Sequence, residues 1–276
     1  MSVESVFAVF GLDGLVEACE GLPVDALSLG EGVFETVLLL SGRPAFPQRH
    51  AARLAASCRD LEIAGPEEVE VLFRRSVEFC ADFAAERGRM RTAVFAGGRR
   101  GPVALTACRR AGEPPAEAAL RTATGRRHKG ALTCRHKTAS YLENLIACRA
   151  ARAAGFHDAL WLDDCGNVAE TSTANIFFAA GRRLATPPEG AILPGVVRGW
   201  ILDNAQDLGL DVSIGEIPAG DMPGFEFAFV TNSIIGIIPV PAAGEASFAD
   251  PRGQQWFRTL VAAYREAAEA SAADAF

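Results

Sequence analysis

Residues 155–178 read GFHDALWLDDCGNVAETSTANIFF. DALWLDD and VAETSTANIFFAA are strand-like runs, and Cys165-Gly166-Asn167 between them reads as a turn. One residue breaks the apolar pattern. Glu170 stands inside the second strand, where a carboxylate either reaches water at a strand end or is buried against a cation, because burying it unpaired is costly.

Toward the C-terminus, Leu193-Pro194-Gly195 introduces an amphipathic helix, VVRGWILDNAQDLGL (196–210). The open N–H groups of such a first turn suit an anion, although a plain loop before a helix reads the same way. FEFAFVTNSIIGIIPV (225–240) is an apolar strand pair interrupted by Thr231-Asn232-Ser233, which is either a simple turn or a set of small donors. The last helix buries Trp256, Phe257, Leu260, Val261 and Tyr264, and the alanine-rich tail after Ala267 is expected to fray.

Toward the N-terminus, Tyr141–Ala154 reads as a helix closed by Gly155. AGEPPAEAA (111–119) has two prolines and no apolar period, so it reads as a linker. Hairpins are expected about Asp13-Gly14 and Ser41-Gly42. Helical spacing follows in residues 48–61, with Leu54, Cys58 and Leu61 on one face. A second helix opens at Pro66, buries Val69, Leu72, Phe73, Val77, Cys80 and Ala84, and is ended by Gly88. RMRTAVFA (89–96) and VALTACRR (103–110) return to strand. The pattern is α+β, in two lobes: a smaller one over 1–114 and a larger one over 115–276, with a site where they meet.

Composition sets bounds. The 276 residues are 49% apolar and 22% charged, which excludes a largely disordered chain. The formal charge of −7 is opposite in sign to that of a general nucleic-acid binder. The basic stretch with Arg121, Arg126, Arg127, His128 and Lys129 has no interleaved aromatics, so nucleic acid is not an expected partner. No apolar run reaches the ~18 residues that span a bilayer, and no secretory signal opens the chain, so no membrane partner and a cytoplasmic location are expected. Seven cysteines are widely spaced without C-x-x-C, and four histidines are scattered, so neither a disulfide framework nor a metal site is expected.

Lys129 and Lys137 are the only lysines among 27 Lys and Arg residues. Arginine cannot replace an amine that must lose its proton to form an imine. Lys137 follows Arg135 and His136, which suits either a solvated basic turn or an amine of depressed pKa. Arg53, in HAARL (50–54), is either a surface helix arginine or a donor of charge-assisted bonds to an anion. A protonated pyridine nitrogen would be a fitting partner for Glu170.

Six stretches occur together and in order: GEGVFETV (30–37), HAARL (50–54), KTASYLENLIA (137–147), GFHDALWLDDCGNVAETSTANIFF (155–178), ILPGVVR (192–198) and FVTNSIIGIIPV (229–240). This order resembles the fold-type IV pyridoxal-phosphate enzymes, which include branched-chain aminotransferases, D-amino-acid aminotransferases and aminodeoxychorismate lyases. The resemblance implies two α/β lobes in a homodimer, with pyridoxal 5'-phosphate at the lobe interface. It implies that Lys137 is the Schiff-base lysine and proton shuttle and that Glu170 pairs with the pyridine nitrogen. By the same likeness, Tyr141 lies beside the cofactor's phenolic oxygen. Arg53, the Val196 and Val197 amides, Asn232 and Ser233 form the phosphate cup.

Within that family, Asn232-Ser233 … Gly236-Ile237 … Pro239-Val240 resembles the lyases. Phe34-Glu35-Thr36 differs from the FEG of branched-chain enzymes, and the strand at 89–96 lacks the carboxylate-gripping arginine that follows it in D-amino-acid aminotransferases. Glu31 stands where many relatives have aspartate, and the usual Asp-Arg or Asp-His pair upstream is absent. The resemblance thus implies cleavage of 4-amino-4-deoxychorismate to 4-aminobenzoate and pyruvate, with Arg91, Arg99 and Arg100 as candidates for the substrate carboxylates. A class IV aminotransferase acting on branched-chain or D-amino acids is the alternative, and a catalytically silent metabolite binder would not need both Lys137 and Glu170.

Overall fold

Alternating burial builds the first sheet. In the computed structural model, which describes residues 5–15, 22–83, 85–97 and 101–274, the chain begins with β1 (Ser5–Gly11) and β2 (Gly14–Leu15), joined by the expected hairpin. A short α1 (Val24–Leu29) leads into β3 (Gly32–Leu40) and β4 (Arg43–Pro44). The turn between them holds Ser41 and Gly42 at φ 50° and 81°, the paired positive φ values that a two-residue hairpin requires. Then come α2 (Pro47–Asp60), α3 (Pro66–Ala81), β5 (Arg87–Phe95) and β6 (Val103–Arg110). The strands order as β2-β1-β6-β5-β3-β4, all antiparallel. Val33, Val37 and Leu39 on β3 pack with Leu54, Cys58, Leu72, Val77, Met90 and Val94 in one core.

The second half carries two five-stranded sheets. Its elements are β7 (Leu120–Arg127), α4 (Leu132–Arg135), α5 (Leu142–Ala153), β8 (Asp158–Asp163), β9 (Val168–Thr171), β10 (Asn175–Ala180), β11 (Arg183–Thr186), α6 (Val196–Asn204), β12 (Asp211–Ile214), β13 (Phe227–Asn232), β14 (Gly236–Pro239), β15 (Ala242–Ala243), β16 (Ala246–Ser247) and α7 (Gln255–Ala273). One sheet runs β12-β11-β10-β13-β14 and the other β16-β15-β7-β8-β9. Leu120, Leu160, Ile176, Phe178, Ala228 and Val230 share the main core of this half. Phe177 and Phe229 stack at 5.1 Å, with Trp256 and Phe257 of α7 against Phe229.

Several local expectations need correction. Gly88 does not end α3; the helix stops at Ala81, and Gly88 is a strand residue of β5 opposite Arg110. Ala84 lies outside the described residues, as do Cys19, Arg99 and Arg100. The segment 111–119 has no regular structure but is not a free linker: Ala118 is fully buried and its N–H donates to the Pro239 carbonyl. Helix α6 is shorter than its apolar period, because Asn204 bonds back to the Trp200 carbonyl and the chain turns through Gly209 at φ 66°. The alanine-rich tail stays helical to Ala273. Ala268 and Ala272 are buried, Ser271 Oγ accepts the Phe46 N–H at 2.5 Å, and the Ala273 carbonyl accepts from Arg43.

Contacts divide the chain into two units, with the main break between Gly112 and Glu113. The first comprises the chain to Gly112, His136–Ser140 and the residues from Ala267 onward; the second comprises Glu113–Arg135 and Tyr141–Glu266. Lys137, expected in the C-terminal lobe, therefore groups with the N-terminal unit. The reason is backbone pairing: Phe34 N–H donates to the Lys137 carbonyl and Ala139 N–H to the Gly32 carbonyl, each at 2.8 Å.

Candidate active site

The first unit assembles a cluster around β3. Backbone pairing lays residues 137–139 along the start of this strand, with Val33 and Thr138 as antiparallel partners. The half-buried Lys137 Nζ lies 4.6 Å from the centre of the Phe34 ring. Arg91, on neighbouring β5, places its guanidinium 5.0 Å from the same ring. Period-two alternation turns the next residue, Glu35, toward the opposite face with Val33 and Val37. There Glu35 is 1% exposed and meets helix α2. Arg53 donates to it as a fork, Nε to Oε1 and Nη2 to Oε2, both at 2.7 Å. His50 Nδ1 lies 2.6 Å from Oε2. Burial pushes the Glu35 pKa upward, but the Arg53 and His50 interactions together outweigh it and hold the carboxyl at about 2. Burial lowers the pKa of His50, against the pull of Glu35, which favours a neutral ring whose Nδ1–H donates to the carboxylate. His136, beside Lys137, bonds Ser57 of the same helix at 3.1 Å.

The second unit assembles another set. Glu170 ends up buried on β9, and its Oε2 accepts the Leu193 N–H at 3.0 Å and the Asn175 side-chain amide at 3.2 Å. Arg127 Nη2 stands 3.9 Å from Oε1. Arg127 is itself buried, its guanidinium 4.6 Å from the Trp161 ring centre and bonded to Asn144, which also accepts from Trp161 Nε1. Asn175 bridges to the Leu193 carbonyl at 2.9 Å and so ties Glu170 to the start of α6. That start is tight. A Cβ on Gly195 would lie 1.9 Å from Asn175 Oδ1, so glycine is required by close approach. Val196 and Val197 form the first turn of α6, where N–H groups point out of the helix. Asn232 builds the β13–β14 turn: its Oδ1 accepts the N–H groups of Ile234 and Ile235 and its amide donates to the Thr173 carbonyl. Ser233 is half-buried in that turn. Tyr141 caps α5, and its hydroxyl donates to the Ser172 carbonyl.

A sequence model of the class IV aminotransferase family matches residues 32–243. The chain belongs to the class IV aminotransferase family. Aminodeoxychorismate lyase of Bacillus subtilis is 28% identical over 240 residues, 82% of each chain. The crystal structure of 4-amino-4-deoxychorismate lyase from Pseudomonas aeruginosa superposes with a TM-score of 0.79 at 26% identity, covering 95% of this chain and 98% of that one. A branched-chain aminotransferase of Thermoproteus uzoniensis, with norvaline, gives a TM-score of 0.81 at 25% identity, covering 94% and 93%.

Class IV family members use pyridoxal phosphate, and the donor set of this one fits it. The first unit offers an amine at Lys137 and an arginine held by Glu35, and the second a buried carboxylate at Glu170 and the start of α6. Ser172 Oγ and Thr231 Oγ1, beside Glu170 and Asn232 in sequence, are buried without a hydrogen-bond partner among the described residues, as groups waiting for a polar ligand are. Among the described residues, no group of three or more His, Cys, Asp and Glu is placed to hold a metal ion, and no helix is long and apolar enough to cross a membrane.

The structure thus brings Lys137, Arg53 and Arg91 together in one unit, and Tyr141, Glu170, Val196, Val197, Asn232 and Ser233 in the other. Arg99 and Arg100 lie outside the described residues. Glu35, His50 and Arg127 escaped the sequence reading. For Glu35 a signal existed: its parity on the strand matches Val33 and Val37, so it had to point into the core. Arg127 offered none, since its partners come from three other elements. Its basic neighbours Lys129 and His128 pair with acids, Lys129 with Asp163 at 3.0 Å and with Glu216, and His128 with Asp164 at 3.3 Å.

Proposed function

We propose that the chain is a pyridoxal-phosphate-dependent lyase that cleaves 4-amino-4-deoxychorismate to 4-aminobenzoate and pyruvate. The observation that carries the chemistry is the pair of unusual groups: a half-buried lysine amine pinned by backbone bonds, and a buried carboxylate held by two N–H donors. Similarity to the Bacillus subtilis lyase over most of both chains supports the lyase reading, as does the turn built by Asn232.

Bound pyridoxal phosphate supplies an electron sink that acidifies the carbon bearing the substrate amine. Lys137 Nζ would hold the cofactor, and its free amine would take the proton from that carbon. The carbon–oxygen bond at the neighbouring carbon would then break, the released enolpyruvate would take up a proton at carbon to give pyruvate, and the substrate ring would become aromatic. Glu170 would keep the cofactor's ring nitrogen protonated, because a carboxylate fixed by two donors stays ionised and favours a cation against it. Arg53, the Val196 and Val197 amides, Asn232 and Ser233 would bind the phosphate, and Tyr141 would serve the phenolic oxygen. Arg91 serves a substrate carboxylate, as do Arg99 and Arg100. The protein acts as a cytoplasmic homodimer on a small amino substrate. A transaminase of branched-chain or D-amino acids would use the same groups, and the likeness to the Thermoproteus uzoniensis enzyme favours it as the second reading.

Incubation with enzymatically generated aminodeoxychorismate, followed by assay of 4-aminobenzoate and pyruvate, tests the proposal. Branched-chain, D- and L-amino acids with 2-oxoglutarate are offered in parallel. Product in the first assay alone supports the lyase; amino transfer alone overturns it. Lys137→Ala should abolish both turnover and the borohydride-reducible yellow chromophore.

A further inference from the structure

Glu35 is nearly as buried as any charged group in the first unit, yet nothing in the chemistry above requires it. We propose that Glu35 is a positioning residue for cofactor phosphate: it holds Arg53 in the one orientation that grips the phosphate, with His50 as its lock. The inference rests on the cofactor reading given above.

Three features carry it. First, the Arg53–Glu35 contact is a two-point fork at 2.7 Å and 2.7 Å, which fixes the plane of the guanidinium as a single bond would not. Arg53 is part-buried on α2, and an untethered arginine there would sample many rotamers that a ligand would have to freeze. Second, His50 stands 2.6 Å from Glu35 Oε2, so the carboxylate cannot turn away from the fork. Third, stability alone explains this cluster poorly. Burying an ion pair costs desolvation, and apolar side chains of similar volume would hold β3 against α2 as well.

The test separates phosphate recognition from simple folding. Apoprotein is titrated with pyridoxal phosphate and with pyridoxal, which has the same aldehyde and ring but no phosphate, and binding is read from absorbance and borohydride-trapped adduct. Glu35→Gln should weaken pyridoxal phosphate binding tenfold or more while pyridoxal binding stays within twofold. Glu35→Asp, which keeps the charge on a shorter arm, should recover part of the preference, and it carries the test if the Gln variant does not fold. Equal loss for both aldehydes would show a merely structural role and overturn the proposal, as would unchanged preference in a folded variant. Failure of the wild-type protein to form an adduct with either aldehyde would instead overturn the cofactor reading, and the positioning role with it.

Discussion

Glu35 shows how one carboxylate ties stability to pH. Its folded pKa of about 2 lies below the ordinary 4.5, so the unfolded chain takes up the proton first as acid is added. The stabilisation is fully present above about 4.5 and is lost as pH falls toward about 2. His50 acts in the same direction, since its lowered folded pKa lets the unfolded state bind a proton first below about 6.5. Urea unfolding of wild type between pH 5 and pH 3 should therefore show a falling free energy, and Glu35→Gln should flatten that slope; parallel curves would contradict it. Glu170 belongs to the same scale. Glu170→Gln keeps the shape and both donors' neighbourhood but removes the charge, so turnover should fall by at least about 100-fold, the usual weight of a proton-handling group, while the lysine adduct still forms. Borohydride trapping beside a turnover assay checks both halves of that statement.

At the level of elements, the start of α6 is the most constrained feature. Gly195→Ala would drive its Cβ into Asn175 Oδ1 and dislodge the amide that links Glu170 to the Leu193 carbonyl. Overpacking of this kind costs roughly 1–3 kcal/mol, read as a lower urea midpoint, and cofactor affinity should drop with it. The end of α7 gives a second case. Ser271→Ala removes the acceptor of the Phe46 N–H, a residue held at φ 53°, and should destabilise the protein by about 1 kcal/mol in the same assay. Sequence patterns located these elements unevenly. Period-two and period-3.6 repeats placed β3, α2, the start of α3 and the β13–β14 pair within a residue or two. They failed at ends decided by partners rather than by propensity. Gly88 looks like a helix stop in sequence, yet it pairs across to Arg110. The alanine-rich tail has the composition of a frayed end, yet Ala268 and Ala272 are buried.

For the molecule as a whole, a bound cofactor would stabilise the folded state. Adding pyridoxal phosphate at 100 times its Kd should raise the unfolding free energy by about 2.7 kcal/mol, seen as a higher Tm in a thermal melt. Lys137→Ala should abolish most of that rise, and a Tm indifferent to the cofactor would count against the functional reading. What the order of residues determined alone was local and chemical: the alternation that makes strands, the lysine kept among so many arginines, the glutamate inside an apolar run, and the six motifs in family order. Such features depend on side-chain type and near spacing, which a linear chain displays. Tertiary structure alone decided that residues 136–140 join the N-terminal sheet, that Arg127 leaves the basic stretch to lie buried on Trp161, and that Glu35, His50 and Arg53 meet. Each of these rests on hydrogen bonds or ring contacts between segments far apart in the chain, and no local pattern records which distant partner a backbone edge or a buried charge will find.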